Sequence, residues 1–350
     1  MKTKRKIVIN GRFLSQSISG VQRFAYEMTK SLISMGVDIT ILTPRNINAG
    51  YSLDGKIIRW GVNKGHLWEQ FDLFLYLKTH GNPLMINFSG LGPIHYKNQI
   101  CTIHDLSYLI NPAWFSRNYY RFYRYCTPVL AKNCKKIITV SNYSKNEITR
   151  LLKVNPDKVC VIYNAVDFSN IKPSGPEKLT TQPYILSVGS IDPRKNLVKL
   201  FEAFNKSQIK DKYRLVLVGE KANIFSTIDS DDINKNWLGY VSDEELVYLY
   251  KNASLFVYLS LYEGFGIPPL EAMSLGCPVI LSDIPVFHEI FGDSAYYVSP
   301  ENTEEITNTM HKIISDNNAR EEIIKKSFET SSHYSWKKSA SLLIKLIEEL

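Results

Sequence analysis

Short apolar runs alternate with longer amphipathic stretches along most of the chain. Ile7–Ile9, Val37–Leu42, Ile57-Ile58, Leu84–Asn87, Gln99–Ile103, Lys136–Val140 and Val159–Ile162 predict strands, being brief, apolar and bounded by turn residues. Between them the apolar period lengthens to that of a helix. Val21, Phe24, Ala25, Met28, Leu32 and Met35 form one stripe over 21–35, and helices are also predicted over 67–79, 115–132 and 141–152, the last with Ser144 as N-cap. Residues 44–66 have little pattern beyond turns at Asn48, Gly50, Asp54, Gly55 and Gly61. Residues 168–182 mix proline, glycine, serine and charge without a period and predict a linker.

From Tyr184 the alternation begins again. Strands are predicted at Tyr184–Val188, at Arg214–Val218 (ending in Gly219-Glu220-Lys221), at Leu255–Leu259, at Val279–Leu281 and at Ala295–Val298. Helices are predicted from Leu197, over 243–252, from Pro268 or Pro269 to Gly276, from Asp283, over 304–315 and 319–329, and after His333-Tyr-Ser-Trp336. Ser242 and Glu245 have the spacing of a capping box. Strands alternating with helices twice over predict an α/β chain of two similar halves with parallel sheets.

Composition narrows the class. At 350 residues, 44% apolar and 22% charged, the chain suits two domains with a core each. Five widely spaced cysteines signal neither a disulfide framework nor a zinc site, and reduced core thiols are expected. There is no run of about 18 apolar residues, and the Met1–Ile9 opening lacks a signal-peptide apolar region, so a cytoplasmic protein is expected. A net charge of +8 suits anionic membranes, nucleic acid or phosphorylated substrates, but no nucleic-acid motif accompanies it. Part of it sits on the 115–132 helix, where Tyr119, Phe122, Tyr123, Cys126, Val129 and Leu130 predict a core face and Arg117, Arg121 and Arg124 lie on another near Tyr120. That second face reads either as solvated or as a surface for anionic lipid or a lipid-linked acceptor.

Four places carry candidate chemistry. Strand 255–259 runs into a loop with Glu263, Gly264 and Gly266, and Glu271 is expected in the first turn of the next helix. Taken alone, Glu271 could merely complement the helix dipole, but a pair of carboxylates at a strand end also suits sugar or ribose hydroxyls. After strand 184–188, Gly189 would let backbone approach a ligand, and Arg194 and Lys195 adjoin a helix N-terminus, an arrangement suited to a diphosphate. Strand 99–103 delivers His104 and Asp105, and Ser19-Gly20 opens the 21–35 helix where an anion could sit.

The stretch Glu263-Gly-Phe-Gly-Ile-Pro-Pro-Leu-Glu271, followed by Gly276-Cys-Pro-Val279, resembles the Glu-x7-Glu motif of retaining GT-B glycosyltransferases of family 4. Gly189-Ser-Ile-Asp-Pro-Arg-Lys-Asn196 is similar to that family's diphosphate site, and Tyr163-Asn-Ala-Val-Asp167 to its Asn-Gly-Val-Asp crossing, with Ala165 in place of glycine. Gly11-Arg-Phe and Ser19-Gly-Val-Gln-Arg-Phe24 resemble the opening of the mannosyltransferase-like branch, though many relatives have Gly-Gly where this chain has Ser19-Gly20.

The resemblance implies a GT-B fold, two Rossmann-like domains facing across a cleft: 1–165 on the acceptor side, with 334–350 returning to it, and 166–333 binding the nucleotide sugar. It implies retaining transfer of a hexose, with mannose from GDP-mannose first, to a lipid-linked or oligosaccharide acceptor in O-antigen or capsule synthesis; dTDP-rhamnose and UDP-sugars remain open. The implied catalytic residues are Glu263, His104, Lys195 and Arg194. Donor binding falls to Gly20, Gly189, Arg194, Lys195, Tyr240, Val241, Glu263, Gly264, Phe265, Gly266 and Glu271, and the acceptor side to Asp105, Ser19 and Arg23. Within these sets His104 would contact the sugar 6-hydroxyl, Glu271 the ribose, and Arg194 and Lys195 the phosphates. No cofactor or metal is expected, front-face attack is favoured over double displacement through Glu263, and peripheral contact with an anionic membrane stays open. An epimerase of the same fold and a non-catalytic glycan-binding protein are the rival readings; the second has no use for a diphosphate site.

Overall fold

The computed structural model describes residues 6–47, 52–177, 179, 182–190, 192–219 and 237–350. The opening five residues, the turns expected at Asn48 and Gly50, and Glu220 and Lys221 after the strand at 214 lie outside the described residues. The chain divides into two compact units, Met1–Asn164 with Trp336–Leu350, and Ala165–Ser335.

Among the described residues the first unit contains a seven-stranded sheet, ordered β3-β2-β1-β4-β5-β6-β7. Its strands are β1 Ile7–Asn10, β2 Ile39–Thr43, β3 Lys56–Arg59, β4 Leu84–Asn87, β5 Gln99–Thr102, β6 Lys136–Thr139 and β7 Val159–Val161. Each pairing is parallel, with Ile7 opposite both Ile39 and Leu84. The second unit contains a six-stranded parallel sheet, β10-β9-β8-β11-β12-β13, with β8 Tyr184–Val188, β9 Arg214–Val218, β10 Trp237–Gly239, β11 Leu255–Tyr258, β12 Val279–Ser282 and β13 Tyr296–Val298. Central strands such as β1, β4, β11 and β12 are buried at every residue, as helices on both faces of a parallel sheet require. Edge strand β3 carries Lys56 and Arg59 and is largely exposed, which discourages pairing with another chain.

Each unit is therefore a Rossmann-like α/β fold. The strand order reverses between β1 and β4 in one unit and between β8 and β11 in the other. Beyond the carboxyl ends of the strands at such a reversal, open sheets leave a crevice for ligands. The helix Trp336–Glu348 belongs to the first unit: the Trp336 ring meets Phe24 edge-on at 5.9 Å, and Ser339 Oγ donates to the Tyr163 carbonyl.

Several elements differ from the pattern-based reading. The expected loop after β1 is a 3-10 turn, Gly11–Ser15, because Asn10 Oδ1 accepts from Arg12 N and caps it. Helix Asn142–Leu152 is capped by Ser141 rather than Ser144; Ser141 Oγ accepts from Ser144 N and Ser144 is buried one turn in. Helix Ile267–Ser274 begins before its prolines, so Glu271 lies in the second turn rather than the first, beyond the free N–H groups that a first-turn carboxylate would complement. The face expected to be core on helix Arg117–Asn133 is so only in its second half: Cys126, Thr127, Leu130 and Ala131 are buried, whereas Tyr119 and Phe122 are exposed.

Candidate active site

In the second unit the site is built at the β8/β11 reversal. Gly189 leaves the end of β8 beside Gly219, whose φ of +140° and close approach to the Gly189 carbonyl exclude any side chain. Asp192 then caps a single 3-10 turn, Pro193–Lys195, by accepting from Arg194 N at 3.0 Å. Asn196, in the left-handed region at φ +54°, turns the chain into helix Leu197–Lys206. The turn is pinned to the loop after β11, where Leu261 N donates to the Arg194 carbonyl at 2.8 Å.

This geometry brings Arg194, Lys195 and Glu263 together. Lys195 Nζ lies 2.5 Å from Glu263 Oε1, and Arg194 Nη1 lies 3.1 Å from Glu263 Oε2 and donates to the Tyr262 carbonyl at 3.0 Å. Tyr258, the last residue of β11, accepts from Lys195 Nζ at 2.5 Å and donates to Glu263 Oε1 at 2.9 Å. Burial pushes the Glu263 carboxyl up, but Lys195 and Arg194 more than offset this and hold it at about 2. Burial pulls the Lys195 ammonium down while Glu263 opposes the fall. Arg194 Nε also lies 3.9 Å from Asp192 Oδ1, so the two cations at this sheet end are balanced by two carboxylates, for which a bound anion would substitute.

Eight residues along the chain, Glu271 is buried and accepts from the Tyr250 hydroxyl at 2.9 Å. Burial, then Glu271 itself, pushes the Tyr250 phenol well up, so it stays a donor. The two glutamates are joined by a turn at Gly266, which has φ +110° and packs so closely on Phe287 that a Cβ would sit 2.9 Å from its ring. Gly264 and Phe265 are buried, and the Phe265 ring packs edge-on against Tyr334, which leaves backbone as what these two residues can offer a ligand. Tyr240 is exposed and Val241 half-buried after β10.

The first unit holds the remaining candidates. His104 follows β5 and donates from Nε2 to the Phe88 carbonyl at 3.1 Å; because a carbonyl only accepts, Nδ1 carries the lone pair of the neutral ring. Burial keeps the imidazole pKa low, against the opposing pull of that carbonyl and Asp105. Asp105 Oδ1 accepts from Ser107 N at 2.9 Å and so fixes the local turn. Ser19 is the N-cap of helix Gly20–Ser34 without a side-chain cap bond; its hydroxyl pairs with Gln22, and Arg23 lies half-buried on the first turn.

The β1/β4 reversal is filled by residues the pattern did not single out. Asn10 Nδ2 donates to Asn87 Oδ1 at 2.7 Å and to Glu69 Oε1 at 3.0 Å. The fully buried Glu69 also meets Arg12 Nε at 3.3 Å, Gly92 N at 3.2 Å and His66 Nδ1 at 2.9 Å. Tyr258 and Tyr250 were likewise missed in the second unit. Tyr258 ends an apolar strand beside the Glu263 loop, a hint in the sequence, whereas Tyr250 and Glu69 look like ordinary helical residues until the packing is known.

Among the described residues no three His, Cys, Asp or Glu side chains group as a metal site, and no helix is long and apolar enough to cross a membrane. The five cysteines are free thiols, with Cys160 half-buried and the rest buried.

Residues 169–330 match the model for glycosyl transferases group 1, and residues 18–170 that for glycosyltransferase family 4. The O-antigen chain mannosyltransferase RfbU of Salmonella typhimurium is 36% identical over 59% of this chain, a match spanning 58% of RfbU's own length. O-antigen chain mannosyltransferase B of Escherichia coli is 30% identical, with 70% of this chain and 68% of that protein covered. In fold, the chain is similar to Anabaena HepE in complex with UDP and glucose, at a TM-score of 0.76 and 15% identity, covering 99% of this chain and all of that one.

Proposed function

The chain belongs to glycosyltransferase family 4, and on that premise we propose that it transfers a hexose, with retention, from a nucleotide diphosphate sugar to a lipid-linked or oligosaccharide acceptor of surface polysaccharide synthesis. GDP-mannose is the donor we assign first, supported by relatives that are mannosyltransferases of O-antigen chains; dTDP-rhamnose and UDP-sugars are the alternatives.

One observation carries the reading: Arg194 and Lys195 converge on Glu263 at a parallel-sheet end, at the strand-order reversal. Arg194 and Lys195 bind the diphosphate and offset charge on the leaving group without a metal ion. Glu263 accepts from hydroxyls of the donor sugar, and Glu271, oriented by Tyr250, accepts from the ribose. Gly189, Gly264, Phe265 and Gly266 present backbone, and Tyr240 and Val241 flank the base. His104 accepts from the sugar 6-hydroxyl through Nδ1, Gly20 offers a helix N–H to the donor phosphate, and Ser19, Arg23 and Asp105 serve the acceptor side. Both Glu263 oxygens are engaged by Lys195 and Arg194, which favours front-face attack over a covalent intermediate on Glu263, with the leaving diphosphate taking the acceptor proton. The acceptor's lipid holds the enzyme at the inner face of the membrane, with helix 117–133 touching anionic headgroups.

Thermal shift with GDP, UDP, dTDP and ADP, without and then with Mg²⁺, tests this. GDP should stabilise the protein selectively and without Mg²⁺, by about 2.7 kcal/mol at a hundredfold excess over Kd. Lys195→Ala and Glu271→Ala should abolish the shift. If no nucleotide stabilises the protein, the reading fails; selective stabilisation by UDP or dTDP would keep the transferase and replace the donor.

A further inference from the structure

We propose that the first unit docks on an anionic lipid leaflet through an apolar stripe on the helix between β3 and β4, seconded by the aromatic end of helix 117–133. This deepens the lipid-linked acceptor in the proposed reading by giving the membrane contact a defined surface. The helix runs as Gly65–Leu67, widens by one residue per turn over Trp68–Leu73 and continues over Phe74–Thr79. Its inner face is core: Trp68, Leu73, Tyr76 and Leu77 are buried. Its outer face is apolar too, which a solvated helix would not be.

Leu67, Phe71 and Leu75 are spaced four apart and are 59%, 62% and 56% exposed. Residues so spaced share one face. Lys64 and Lys78, three residues before and after the stripe, are exposed. The start of this helix meets helix 117–133, where the His66 ring lies 5.0 Å from Phe122 and 5.9 Å from Tyr123. Beside Phe122 stand exposed Tyr119 and Tyr125 and the exposed Arg117, Arg121 and Arg124.

Charge decides which occupant fits. From Lys56 to His104 the chain has two acids, Glu69 and Asp72, and none from Leu106 to Asn146. Glu69 is fully buried, and Asp72 is half-buried and spent on the backbone N–H groups of Val62 and Asn63. The patch is thus apolar, aromatic and positive, with no exposed carboxylate contributed by these two segments. A second copy would bring like charges together, whereas anionic headgroups would neutralise them while Leu67, Phe71 and Leu75 enter the acyl boundary.

The test is cosedimentation of the full chain with vesicles of phosphatidylcholine alone and of equal parts phosphatidylcholine and phosphatidylglycerol, without nucleotide, so that its outcome is independent of donor binding. The wild type should pellet with the anionic vesicles only, and less at high salt. Leu67→Ser/Phe71→Ser/Leu75→Ser should weaken partitioning at least about tenfold, and Arg117, Arg121 and Arg124 to Gln about fivefold each. Both variants should keep the wild-type melting temperature, since these side chains are outside the core. Protection of 65–79 from hydrogen exchange should rise on wild-type binding, a readout that needs no variant. The proposal is overturned if the wild type ignores anionic vesicles, if the serine variant binds them as well as wild type, or if light scattering shows a dimer that the serine changes dissociate.

Discussion

Glu263 answers to Lys195 on one oxygen and Arg194 on the other, and its carboxyl is held at about 2 against an ordinary 4.5. A carboxyl whose folded pKa is depressed contributes stability that is complete above the unfolded value and lost as pH falls through the folded one. The contribution should therefore be full above pH 4.5 and vanish towards pH 2, with a size of roughly 3 kcal/mol. Glu263→Gln should lower stability most near neutrality, and the gap to wild type in denaturant melts should narrow steadily below pH 4.5. A gap that stays constant with pH would mean that the ion pairs do not hold the charge. Tyr258 shares this cluster by accepting from Lys195 and donating to Glu263, so it orients both without being either charge.

At the scale of elements, the turn between β11 and helix 267–274 sets where Glu263 and Glu271 stand. Gly266 is at φ +110° with Phe287 and Phe291 closing around its Cα. Alanine there combines an unfavourable backbone with a clash against rings in a packed interior, and should cost roughly 3 kcal/mol. A melting temperature unchanged in Gly266→Ala would refute this account of the turn. Why Glu271 was assigned to the wrong helical turn is also an element-scale matter. Proline at the second and third positions is as acceptable as at the first, so the two prolines in sequence could not fix whether the helix starts at Ile267 or later. The same ambiguity moved the cap of helix 142–152 from Ser144 to Ser141, since either serine suits an N-cap.

For the whole molecule, two parallel sheets of the same order of growth come from one chain, and the last helix, 336–348, belongs with the first sheet rather than with the unit that precedes it. Trp336 is 7% exposed against Phe24, so Trp336→Ala should destabilise the first unit by about 3 kcal/mol. Denaturant melts of the variant and the wild type check this, and an unchanged midpoint would refute the packing role given to Trp336. The alternation of apolar runs with helical stripes was enough to reach the α/β class, because buried parallel strands and amphipathic crossovers leave a local period in the sequence. Arg194, Lys195 and Glu263 were legible because each follows within a few residues a strand that the pattern marks, and Glu271 through its spacing from Glu263 in the Glu-x7-Glu motif. What they touch was not. That Glu263 takes both cations, that Tyr250 reaches Glu271 and that Asn10, Arg12, Glu69 and Asn87 fill the β1/β4 reversal are contacts between residues up to 77 positions apart. The exposed stripe at Leu67, Phe71 and Leu75 belongs with them, since periodicity marks a helix as apolar without saying which of its faces the rest of the fold covers. Sequence determines what is local and periodic; long-range pairing and burial are decided only when the chain has packed.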